Sequence, residues 1–99
     1  MRKEVLELSQ LGPLPNEDQD IADGVLEHYE ELLHRIQPPI TRDEAEQLIK
    51  LFPATACFGL EWTLLHIIES TPDWPILSII ELCPSVEWKQ QILDRISNT

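Results

Sequence analysis

The eight prolines of this chain all fall between, or at the edges of, stretches with helical periodicity. They stand at Pro13 and Pro15, Pro38 and Pro39, Pro53, Pro72 and Pro75, and Pro84. Proline lacks the amide that a helix or sheet interior needs, and its ring clashes with the preceding turn. Every regular element must therefore fit between these positions. The links they mark are short, which favours antiparallel neighbours joined by tight turns.

Between Pro15 and Pro38, Ile21, Val25, Leu26, Tyr29, Leu32, Leu33 and Ile36 recur at spacings of three and four. At about 100° per residue they form one stripe, predicting an amphipathic helix to about Ile36 with Asn16 as its N-cap. The opposite arc carries Glu17, Asp20, Asp23, Glu27, Glu30 and Glu31. Gly24 in a helix interior costs ~1 kcal/mol relative to Ala. Either a neighbour packs closely there or the helix begins later.

Thr41-Arg42-Asp43-Glu44 has the form of a capping box, with Ile40 and Ala45 placed to staple the entry. It predicts a helix over 41–53. FGLEWTLLHIIE lies within a third predicted helix, about 56–70, apolar over more than half its circumference and so central to the fold. Its remaining arc holds Gly59, Thr63, His66 and Ser70, small residues that admit a close helix neighbour and place His66 at an interface. Pro75 opens a short apolar helix to residue 83, and Ser85 caps a last one over 86–97. Residues 4–11 fit a short helix or an edge strand equally well. The expected fold is all-α, a compact single-domain bundle of about five helices over residues 1–99. Its antiparallel hairpins, 41–53 with 56–70 and 75–83 with 86–97, allow a HEAT-like stack.

Eighteen Asp and Glu against seven Lys and Arg give a formal charge of -11. Phosphate binding needs basic side chains, so this balance argues against nucleic acid and against an anionic membrane surface. No apolar run approaches the ~20 residues of a membrane-spanning helix, and Glu4 and Glu7 interrupt any signal-peptide pattern. A cytoplasmic protein is the expectation. Cys57 and Cys83 lack CxxC spacing and read as buried thiols, with a disulfide between them left open.

Candidate chemistry is sparse. Glu31-x-x-His34 has the i, i+3 spacing of a di-iron ligand pair, but such sites need a second pair and two more carboxylates. Cys57 and His66 fall on different sides of one helix, and three glycines make no phosphate loop. No catalytic residue, cofactor or metal site is expected. The notable feature is seven carboxylates in 17–31 (Glu17, Asp18, Asp20, Asp23, Glu27, Glu30, Glu31) with no basic residue among them. Such a helix holds self-repulsion that a cationic partner would relieve. A merely solvated face is the plainer reading of the same residues. Tyr29 and the three tryptophans are expected mostly in the core.

In size, helical layout, the acidic 17–31 segment and CFGLEWTLLHIIESTPDWP at 57–75, the chain resembles small acidic immunity proteins of bacterial toxin–immunity pairs. The resemblance implies a monomer or weak dimer that binds and neutralises a cognate, basic, nuclease-type toxin. Independently, the charge pattern nominates Glu17, Asp20, Asp23, Glu27, Glu30, Glu31 and His34 as partner-binding residues. A helical interaction module without a toxin is the alternative.

Overall fold

The computed structural model describes residues 1–97, and every regular element among them is a helix, with no strand. Residues 98 and 99 of the expected single domain lie outside the described residues. The helices are α1 (Lys3–Leu11), α2 (Val25–Arg35), α3 (Arg42–Ile49), α4 (Leu60–Ile68), α5 (Leu77–Ile80) and α6 (Val86–Ser97). The segment that fitted helix or strand is thus a helix, α1, which buries Val5 and Leu8. Its Cα radius of gyration, 12.8 Å, matches the ~13 Å of a folded chain of about 100 residues.

One apolar cluster forms the core. Helix α3 contributes Ala45, Leu48 and Ile49, α4 Leu60, Leu64, Leu65, Ile67 and Ile68, and α5 Ile79 and Ile80. Helix α1 packs on α2 and α3, while α3 packs also on α4 and α5, and α2 on α4. The apolar circumference of α4 explains its place: it needs neighbours on most sides. The α5–α6 hairpin expected of a HEAT-like stack is not among these packed pairs, because α5 is a single turn. Helix α6 instead docks through Trp88, whose ring stacks on Phe52 at 5.3 Å and whose Nε1 donates to Thr55 O at 2.6 Å.

Local signals behave as their chemistry demands. Thr41 Oγ1 accepts the Glu44 amide at 3.2 Å and Glu44 Oε1 accepts the Thr41 amide at 2.9 Å, completing the capping box. Ile40 and Ala45 are both buried beside it. Ser85 Oγ accepts the Trp88 amide at the start of α6 and donates to Ala54 O.

The helices expected over 41–53 and 75–83 end early or shrink, to Arg42–Ile49 and Leu77–Ile80. Two others begin later than their periodicity suggests, and a glycine marks each boundary. Gly24 has φ 87° and Gly59 φ 87°, left-handed conformations that an α-helix cannot contain. Helix α2 therefore starts at Val25 rather than at residue 17, and α4 at Leu60 rather than 56. Neither glycine has a neighbour within 4 Å of its missing Cβ, so their role is conformational and not close packing. Asn16 is no helix cap: its Oδ1 accepts the Thr55 amide at 3.0 Å. Together with Glu17 N to Ala56 O, 2.9 Å, that bond ties the 13–23 loop to the α3–α4 connection.

Candidate partner-binding surface

The seven nominated residues divide between two elements. Glu27, Glu30, Glu31 and His34 lie on the exposed face of α2, at spacings that keep them on one arc. Glu17, Asp20 and Asp23 lie in the preceding loop, all exposed. The structure corrects the single continuous helix: Asp23 and Glu27 line one shallow depression beside Gly24 with Ile21, Ala22 and Leu26, whereas the Glu17 amide is tied to Ala56 O in the α3–α4 connection. Glu31 is also not free of basic partners. Arg35, four residues on, forms an ion pair with it, relieving part of the repulsion inferred from 17–31 alone.

Helix α1 enlarges this surface. It packs beside α2 and brings Glu7 within 3.7 Å of His28 Nε2. Glu4, Glu7, Glu17, Asp18, Asp20, Asp23, Glu27, Glu30 and Glu31 all fall between Lys3 and Arg35, an interval with no Lys or Arg. Its 17–31 part was readable as a run of charge. Its two helices becoming neighbours was not, because residues 4–11 alone did not settle their own structure.

Tyr29 holds the α1–α2 layer together from inside. Its hydroxyl lies among the carbonyls of Leu11, Gly12 and Pro13, the nearest at 2.9 Å, and burial pushes its pKa up. Beside it, Leu11, Asp23, Gly24, Val25 and His28 complete a second depression, of about 440 Å³. The acidic surface therefore has apolar floor at Leu11 and Val25, the composition of an interface centre with a charged rim.

The remaining reactive groups face away from such chemistry. Cys57 and Cys83 are free thiols, both buried. Burial, with the Glu61 and Glu17 carboxylates nearby, pushes Cys57 up to about 11, so it stays protonated and inert. Among the described residues no group of three His, Cys, Asp or Glu side chains could hold a metal ion, and His34 has no second ligand pair opposite it. His66, expected beneath a neighbouring helix, is instead exposed.

No helix among the described residues is long and apolar enough to cross a membrane. Comparison with protein families, curated proteins and solved structures finds no match for this chain.

Proposed function

We propose that this protein is a binding protein of the immunity type: it neutralises a basic, nuclease-like toxin domain by covering its substrate face with the α1–α2 acidic surface. One observation carries the reading. Nine carboxylates, with no Lys or Arg in the same interval, are carried by two packed helices, α1 and α2, and the loop that joins them. Carboxylates at this density imitate the charge of a phosphate backbone, so the Lys and Arg that would grip nucleic acid engage them instead. The charges speed encounter, and the apolar floor at Leu11 and Val25 supplies lifetime once the surfaces meet. The chain acts by occupancy and carries no catalysis of its own.

Co-expression tests this. A toxin domain encoded directly upstream should arrest growth alone and be silenced by this protein. Equal arrest with and without it would remove the immunity reading.

A second reading, an adaptor or subunit with no toxin, is favoured by the exposed aromatic side chains Phe58, just before α4, and Trp62, on α4.

A further inference from the structure

We propose that the two depressions flanking Asp23 and Gly24 each seat one basic side chain, lysine or arginine, from a single segment of the protein that binds the α1–α2 surface. The inference rests on the binding reading above and adds which groups the partner inserts and where. One depression, of about 440 Å³, is lined by Leu11, Val25, His28 and Tyr29. The other, of about 300 Å³, is lined by Ile21, Ala22, Leu26 and Glu27. Asp23 and Gly24 line both, so they form the rim between them. Each depression thus combines an apolar wall with a carboxylate. A lysine or arginine side chain matches that pairing, with its methylene stem on the apolar wall and its charged head at the edge. A purely apolar side chain would instead cover the carboxylate without giving it a partner.

The other polar side chains here are already engaged. The Tyr29 hydroxyl lies among three carbonyls, and His28 Nε2 stands 3.7 Å from Glu7. Asp23 and Glu27, by contrast, make no hydrogen bond or ion pair through their side chains among the described residues. Between Lys3 and Arg35 the chain has no lysine or arginine, and Arg35 is taken by Glu31. The complementary charge therefore comes from the partner. Gly24 keeps the rim low. It has no side chain, and the place a Cβ would take is open for 4 Å around. A partner backbone can lie across that rim with a side chain entering the depression on each side. In an extended segment, residues i and i+2 project to the same face roughly 7 Å apart, a spacing suited to two neighbouring depressions.

The probe that tests this is the blocked peptide acetyl-Lys-Gly-Lys-amide, titrated into the isotope-labelled full chain at about 0.05 M salt and followed by NMR. The amide resonances of Leu11, Asp23, Gly24 and Val25 should move together and saturate. Asp23→Asn, at an exposed position, should weaken the peptide about fivefold or more. Glu87→Gln, the same charge change at an exposed position of α6, should weaken it by no more than about twofold. Replacing both lysines by diaminopropionate keeps the charge but shortens each stem to a single methylene, and should weaken binding about fivefold. A response spread over all the carboxylate-bearing residues without saturation would overturn the proposal. Equal losses in the two variants, or equal affinity of the two peptides, would do the same. The mapping and the short-stem peptide both use wild type, so they decide even if a variant misfolds. The peptide stands apart from any toxin. Its failure to seat while co-expression still silences the toxin strikes this proposal alone, and a seated peptide with growth still arrested strikes the immunity reading alone.

Discussion

Arg2 and Glu44, 42 residues apart in the chain, meet with Nε 2.7 Å from Oε2. The same carboxylate accepts the Arg2 and Thr41 amides, and the guanidinium reaches Gln37 O and Pro39 O. The pair therefore locks the start of α1, the α2–α3 loop and the start of α3 into one corner. Burial alone would raise the Glu44 carboxyl. Hydrogen bonds from the Thr41 amide and from Arg2 outweigh it and hold the group down at about 2 instead of 4.5.

The first prediction concerns acid stability. Because the folded value lies below the unfolded one, the contribution of Glu44 is complete above about pH 4.5 and is lost as pH falls towards about 2. Urea unfolding of Glu44→Gln at neutral pH should show a loss of about 2 kcal/mol. The variant should also lose less stability than wild type on going from neutral pH to pH 3. Equal acid sensitivity would show that other carboxylates carry it.

A second prediction turns on sign. Gly24→Ala should destabilise by about 1 kcal/mol, because φ 87° suits glycine and penalises any side chain. Were residues 17–36 one helix, the same substitution would stabilise by a similar amount. Nothing lies near the added methyl, so sterics cannot confuse the outcome. Thermal or urea denaturation reads the sign directly.

Thiol chemistry supplies the third. Cys57, buried and held up to about 11, and Cys83, raised chiefly by burial, should resist an aromatic disulfide reagent at about pH 8 in the native protein. Both should react at the rate of unfolding and then fully in denaturant. Rapid labelling of either in the folded state would contradict the buried placement.

These cases show which features were legible in the sequence. Short-range chemistry was: the capping box at Thr41 and Glu44 and the cap at Ser85 depend only on neighbours a few residues away. The core faces of α3, α4 and α6 followed from periodicity. Arg2 gave no local hint of Glu44, because its partner is fixed by tertiary packing. The acidic helix was drawn too long because Ile21 continues the apolar spacing across Gly24, and spacing does not register a left-handed φ. His66 was assigned a cover because α4 is so apolar, yet which side remains open depends on where the other helices land. The acidic surface was legible residue by residue, since carboxylates without a buried partner must stay solvated. Its extension by Glu4 and Glu7 required knowing that α1 packs on α2.

The central claim is that the acidic α1–α2 surface captures a cationic toxin domain. Stopped-flow association of that domain with wild type and with Glu27→Gln/Glu30→Gln/Glu31→Gln, across a range of salt, tests it most directly. These side chains are exposed, so the triple variant should fold as wild type does. Association should slow by about tenfold or more at low salt, with a flatter salt dependence and a smaller change in dissociation rate. Unchanged association kinetics with an unchanged salt slope would contradict the account and take α2 out of the interface.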